Sequence, residues 1–337
     1  MKEAMFYEAL PDKGVRCNLC DHHCQIHDGK HGICGVRENQ GGRLISLVYG
    51  KVIAEHIDPI EKKPLFHFLP GSTALSIGTV GCNFRCKFCQ NFDISQYPHF
   101  HKGEIAGRNR TPSDIVDTAK ASRCEAIAYT YTEPAIFYEF ALDTAVLAHE
   151  EGIKNVFVSN GFMSPKAARH IAPYLDAANI DIKAFTNDFY KKLCAGRLEP
   201  VLETIRLLKA LGVWVETTTL IIPGLNDGDE ELRNIARFIK EVGLEIPWHV
   251  TQFYPTYELL DRSRTPLETL RRARDMGLAE GLRYVYEGNV PGEGGEHTYC
   301  PSCGTVIIER HGVELIRNRL QEGKCPECGT AIDGVRM

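Results

Sequence analysis

Three cysteines within eleven residues constrain this chain more than any other feature. Cys82, Cys86 and Cys89 stand at C-x3-C-x2-C spacing in Gly81-Cys82-Asn83-Phe84-Arg85-Cys86-Lys87-Phe88-Cys89-Gln90-Asn91. A short loop with that spacing can wrap and aim three sulfurs at one corner of a cubane iron–sulfur cluster. Three thiolates leave a fourth iron open to a small chelating molecule, whereas a fourth cysteine would close the site. The pattern points to chemistry at a cluster rather than to electron storage. An apolar stretch over 72–80 predicts the strand that delivers the loop.

The other ten of the thirteen cysteines fall into two further groups and two singletons, Cys124 and Cys194. Cys17, Cys20, Cys24 and Cys34 form C-x2-C-x3-C-x9-C, a four-ligand set that suits zinc or an auxiliary iron–sulfur cluster, since soft thiolates do not choose between them. His22, His23, His27 and His31 lie among them, and any could replace one cysteine. Cys300, Cys303, Cys325 and Cys328 occupy two C-P-x-C-G knuckles spaced C-x2-C-x21-C-x2-C, a zinc-ribbon pattern that a hairpin through 306–309 would close. Clustered pairs without a signal-peptide-length apolar core more often bind metal than form disulfides, so the expectation is a reducing cytoplasm.

Composition narrows the function classes. The chain of 337 residues is 43% hydrophobic and 25% charged, ordinary for a folded domain with appendages. A formal charge of −5 and a pI near 6.2 give no basic field for nucleic acid. No run approaches the roughly 18 apolar residues needed to cross a bilayer.

Alternating patterns predict an α/β fold. Strands are expected at 73–80, 126–131, 155–159, 180–183, 214–222 and 249–253, with helices at 113–122, 135–151, 165–175, 198–211 and 230–242 between them. Thr111 is a candidate N-cap with Pro112 at the first helical position. Residues 59–70 carry three prolines and predict a linker. Six strands separated by helices imply parallel right-handed βαβ units, with the site at the C-terminal ends of the strands.

The cysteine loop after an apolar strand, with Phe88 before the last cysteine, resembles the signature of radical S-adenosylmethionine (SAM) enzymes. That resemblance implies a partial (β/α)6 barrel over 70–293, flanked by an N-terminal cysteine-rich lobe (1–58) and a C-terminal zinc-ribbon-like lobe (294–337). It implies a [4Fe–4S] cluster, SAM as cofactor, an external one-electron donor, and reductive cleavage to a 5′-deoxyadenosyl radical that abstracts hydrogen from a substrate. Phe88 would sit near the adenine, and Glu133 would accept from the ammonium group of SAM. The family's Gly-Gly-Glu is reduced here to Thr132-Glu133-Pro134. Asn160 falls where the ribose would lie; Asp181-Ile182-Lys183 alternates so that Asp181 and Lys183 share one face, and it resembles the pair that contacts SAM in glycyl radical activating enzymes. His249 is a late polar residue expected near the barrel mouth.

Over nearly the whole chain the resemblance extends to the AmmeMemoRadiSam system radical SAM enzymes, carried by Gly32-Ile33-Cys34-Gly35-Val36-Arg37, Gly288-Asn289-Val290-Pro291-Gly292 and the terminal knuckles. Thr132 departs from that group's more usual asparagine. The group's association implies AMMECR1-like and Memo-like proteins as partners. Two other functions stay open at this point: a glycyl radical activating enzyme in particular, and a non-catalytic metal-binding adaptor.

Overall fold

A strand followed by a crossover helix returns parallel to its predecessor in the same sheet, and that rule builds the centre of this protein. The computed structural model describes residues 1–337. Eight strands lie side by side in chain order: β1 (Ala54–Pro59), β2 (Thr73–Gly78), β3 (Ala126–Tyr129), β4 (Lys154–Ser159), β5 (Ala177–Asp181), β6 (Trp214–Ile221), β7 (Trp248–Gln252) and β8 (Val285–Gly288). From β2 to β8 all neighbours are parallel, and β1 pairs antiparallel with β2. The sheet does not close, so β1 and β8 are its edges.

The helices between them are α1 (Pro112–Ala121), α2 (Tyr138–Glu150), α3 (Pro165–Ile171), α4 (Glu199–Ala210), α5 (Asp229–Val242) and α6 (Leu267–Glu280). Thr111 and Asp114 form a reciprocal capping box at the start of α1, with Pro112 at its first position as the sequence predicts. The sheet runs one unit beyond the six strands expected. α6 and β8 add a seventh parallel strand, and four residues of Val285-Tyr286-Glu287-Gly288 are too few to show a period. Residues 54–58, expected in the N-terminal lobe, instead form most of the edge strand β1.

Period two sends alternate strand residues inward, and these sort into layers. Small inward residues near the N-terminal ends, Ala74, Ala126 and Ala177, leave room for the segment 60–69. There Ile60, Leu65, Phe68 and Leu69 pack on those alanines. The expected linker is therefore a plug in the lower mouth of the barrel. Three prolines hid this, because the plug is anchored through backbone amides and long-range partners rather than through a local period. Phe66 and His67 donate their backbone N–H groups to the Glu216 carboxylate at 3.0 and 2.8 Å, and Asn179 donates to the Pro64 carbonyl at 2.8 Å.

Each cysteine-rich segment braces a different end. The N-terminal segment forms two small antiparallel sheets and joins the main core, with the buried Arg37 guanidinium paired to Glu139 on α2. The C-terminal segment is an antiparallel sheet of Thr298–Tyr299, Val306–His311 and Glu314–Asn318. It covers the plug, with Arg310 donating to the Phe66 carbonyl at 2.9 Å.

Candidate active site

The cysteine loop is clamped by its own backbone. At Gly81, φ +95°, a Cβ would fall 2.5 Å from Val36 and 2.9 Å from the Cys34 carbonyl, so only glycine lets the loop press on the N-terminal segment. Arg85 N–H donates to the Cys194 carbonyl at 2.8 Å and Lys87 N–H to the Leu193 carbonyl at 2.9 Å. His22 donates from Nε2 to the Asn83 carbonyl at 2.7 Å, which commits that histidine to bracing the loop. Donors already face the sulfurs: Phe84 N–H lies 3.4 Å from Cys82 Sγ and Ser95 Oγ lies 3.4 Å from Cys89 Sγ.

Cys82, Cys86 and Cys89 line one cavity of about 470 Å3 at the C-terminal ends of the strands. That volume falls inside the roughly 300–1,000 Å3 of small-molecule sites. Phe88, Thr132, Asn160, Asp181 and Lys183 line it too. Asp181 and Lys183 share a face as predicted, with Lys183 Nζ 2.8 Å from Asp181 and 5.9 Å from the Phe88 ring centre. Burial is the largest single influence on Lys183 and opposes its charge, but the Asp181 carboxylate together with the neighbouring Cys86 and Cys194 outweighs it and holds the ammonium pKa well above its usual value. Asn160 Nδ2 donates to Asn83 at 2.8 Å and lies 3.8 Å from Cys82 Sγ, so it ties strand β4 to the loop. Thr132 donates to the Thr79 carbonyl at 2.9 Å.

Two expected contacts are placed elsewhere. Glu133 is fully buried and caps the turn at Pro134–Phe137, accepting from Ala135 N–H, Ser159 Oγ and Asn160 N–H at 2.8–3.0 Å. It does not line the cavity; it holds Asn160 there, and burial pushes its pKa up to about 7. His249 faces inward but lies one pleat too low, accepted by Glu216 at 2.7 Å beside the plug. Thr251, two residues further along the same face, lines the cavity instead.

Sequence reasoning also missed residues brought in from afar. Asp58 accepts from Lys62, Lys63 and the Tyr131 hydroxyl at 2.7–2.9 Å, and both lysines and Tyr131 line the cavity. Asn289 of the Gly-Asn-Val-Pro-Gly stretch lines it as well. The singleton Cys194 is buried beside the loop, its carbonyl accepting from Arg85 N–H, and the proximity of its thiol lowers the Cys86 pKa. Its position next to the loop is a tertiary fact that no spacing rule reports.

The cysteine groups differ in geometry. Thiolates on one tetrahedral ion with bonds of about 2.3 Å stand about 3.8 Å apart. Cys300 and Cys328 sulfurs are 3.6 Å apart, as are those of Cys303 and Cys325, and all four lie within 4.8 Å of one another. The donor set fits a single metal ion. No three sulfurs of Cys17, Cys20, Cys24 and Cys34 come so close, and neither do the three of the loop. The loop sulfurs are therefore not gathered as the C-terminal four are.

The Radical SAM superfamily profile matches residues 76–239. The chain is 49% identical over 336 residues to an uncharacterised protein of Methanocaldococcus jannaschii, covering 99% of each. It is 24% identical over 221 residues to the pyruvate formate-lyase-activating enzyme of Clostridium pasteurianum, covering 61% of this chain and 89% of that one. A radical SAM methyltransferase from Sphaerobacter thermophilus shares the fold at TM-score 0.52 and 19% identity, over 66% of this chain and 68% of the other. The chain belongs to the radical SAM superfamily, whose members are enzymes. Membership implies a [4Fe–4S] cluster and SAM. No helix is long and apolar enough to cross a membrane.

Proposed function

We propose that Cys82, Cys86 and Cys89 hold a [4Fe–4S] cluster and that SAM binds across the same cavity. When bound, the pair supplies reductive cleavage of the sulfonium to a 5′-deoxyadenosyl radical that takes hydrogen from a substrate. One observation carries this reading: the three loop cysteines and the Asp181–Lys183 pair, far apart in the chain, line a single cavity at the C-terminal strand ends. Asp181, Lys183 and Asn160 then bind the polar atoms of SAM, Phe88 flanks its adenine, and Thr132 supports the loop edge. Glu133 acts through Asn160 and not on the ligand.

The Cys300, Cys303, Cys325 and Cys328 set is assigned structural zinc, supported by its tetrahedral spacing. Cys17, Cys20, Cys24 and Cys34 are assigned a separate metal site, zinc or an auxiliary iron–sulfur cluster, since an all-thiolate set suits either. Placement in the AmmeMemoRadiSam group is supported by Asn289, whose motif reaches the cavity. Its AMMECR1-like and Memo-like associates become the first partners to try, in a reducing cytoplasm. A narrower reading, activation of a glycyl radical enzyme, is favoured by the likeness to activating enzymes and by the open side of the sheet between β1 and β8, which would admit a peptide loop.

The test is anaerobic reconstitution with iron and sulfide, then dithionite and SAM. The parent is expected to release 5′-deoxyadenosine and the Cys82, Cys86, Cys89 triple alanine variant none. Retained cleavage in the triple variant would sink the assignment. With each partner added, a lasting glycyl radical signal by electron paramagnetic resonance would select the narrower reading.

A further inference from the structure

The cysteine loop separates two hollows with different linings. Phe84, Cys86 and Phe88 line the cavity described above, while Arg85 and Lys87 line a second hollow of about 360 Å3 on the outer face. Phe84, Cys86 and Phe88 thus face one hollow and Arg85 and Lys87 the other, so the loop is a wall between the two with Cys86 in it. Lys191 and Lys192 join Arg85 and Lys87 in the outer hollow, and Glu258 is the one acid in its lining. All four cations are exposed; Lys192 also pairs with Asp188 at 2.8 Å. Phe100, 53% exposed, and Tyr257 add an aromatic rim. This concentration of positive charge stands on a chain whose formal net charge is −5.

We propose that this outer hollow docks a small acidic one-electron carrier protein and that the electron enters at Cys86; the proposal rests on the reductive reading above. The carrier's reduced centre loses one electron to the cluster held by the loop. That electron then breaks the sulfonium S–C5′ bond, giving methionine and the 5′-deoxyadenosyl radical. Three observations support the site. Electron transfer weakens steeply with distance, and the exposed Arg85 and Lys87 of the outer hollow are the chain neighbours of the buried Cys86. The loop is fixed to the 190–194 turn through Arg85 and Lys87 N–H, so the four charges are held in register with Cys86. A local basic hollow on an acidic chain orients an acidic partner, attracting it here and repelling it elsewhere. A polyanion such as nucleic acid would instead need an extended basic track.

The test uses reconstituted full-length enzyme and a low-potential acidic ferredoxin. Lys191→Glu/Lys192→Glu reverses two exposed charges outside the cavity, and Arg317→Glu on the C-terminal hairpin is the control. By calorimetric titration with oxidised ferredoxin, the double variant is expected to bind at least about tenfold more weakly than the parent, and the parent's affinity to fall with salt. Arg317→Glu is expected to match the parent. Ferredoxin-driven 5′-deoxyadenosine formation falls with binding, while dithionite-driven formation stays at the parent level. Equal ferredoxin binding by parent and double variant would overturn the proposal, as would lysine-dependent binding of a single-stranded oligonucleotide with none of ferredoxin. Absence of dithionite-driven cleavage in the parent would refute the reaction and leave the docking surface to be decided by the titration.

Discussion

Asp181 and Glu216 are carboxylates on the inward faces of neighbouring strands, and they live in opposite circumstances. Glu216, low on β6, is fully buried and accepts from four donors: Phe66 N–H, His67 N–H, Trp214 Nε1 and His249 Nε2, all at 2.7–3.0 Å. A carboxylate has about four acceptor sites, so nothing remains to offer a ligand. Asp181, at the top of β5, has Lys183 as its one partner, and its side chain is 33% exposed to the cavity. The difference separates the two ends of one sheet. At the lower end polar groups satisfy each other and fix the plug; at the upper end they stand ready with unused valence, as sites in parallel α/β folds do.

The sharpest way to break this comparison is at the loop. Replacing Cys82, Cys86 or Cys89 with Ala should abolish cluster retention and 5′-deoxyadenosine formation, while the urea midpoint of the metal-free protein stays near the parent's. A large fall in that midpoint would place the loop among the stabilising elements and erase the contrast. The lower end should behave in reverse. Glu216→Ala leaves four buried donors without an acceptor and should cost roughly 3–5 kcal/mol by urea denaturation. Iron content per folded molecule should not change.

How much of this was legible in the sequence follows the same division. The Cys82–Cys89 spacing, the Thr111 cap and the shared face of Asp181 and Lys183 are local patterns, and the structure reproduces them. His249, expected near the barrel mouth, lies on a lower rung against Glu216, since period two gives the side of a strand but not the depth of a residue in a barrel. The plug over 60–69 left no local signal, because its partners Glu216, Asn179 and Arg310 lie more than a hundred residues away. Cys194 carries no local signal for the same reason. Its partner Cys86 is met through the packing of the 190–194 turn.

Acid sharpens the contrast next. His67 sits fully buried in the plug, donating from Nδ1 to the Asp333 carbonyl and accepting at Nε2 from the Tyr286 hydroxyl. A second proton would have to go on Nε2, against a donor. Burial accordingly lowers the His67 pKa to about 4. Between pH about 6.5 and about 4 the unfolded chain binds a proton that the folded chain does not. Stability is therefore complete above that window and is lost as the pH falls through it, by roughly 3 kcal/mol for a shift of this size. His67→Asn keeps the donor to Asp333 and cannot titrate, so its stability deficit against the parent should shrink between pH 7 and pH 4.5. A constant deficit across that range would show that His67 is not the group that titrates.

The smallest expected effect is the most specific to the upper end. Asp181→Ala removes one charge-assisted partner from the cavity without opening the lower layer, since Asn179, one pleat below, keeps its bonds to Pro64 and Thr218. Fold stability should change little. SAM affinity should fall by about 1.5–3 kcal/mol, or roughly ten- to a hundredfold. Lys183 complicates the measurement, because without Asp181 its ammonium loses the partner at 2.8 Å and is left desolvated. Asp181→Asn separates the two effects: it keeps an acceptor for Lys183 and removes only the charge. If both variants bind SAM as tightly as the parent while cluster content is unchanged, the Asp181–Lys183 pair is a structural strut like Glu216 and His249, and the division between the two ends of the sheet does not hold.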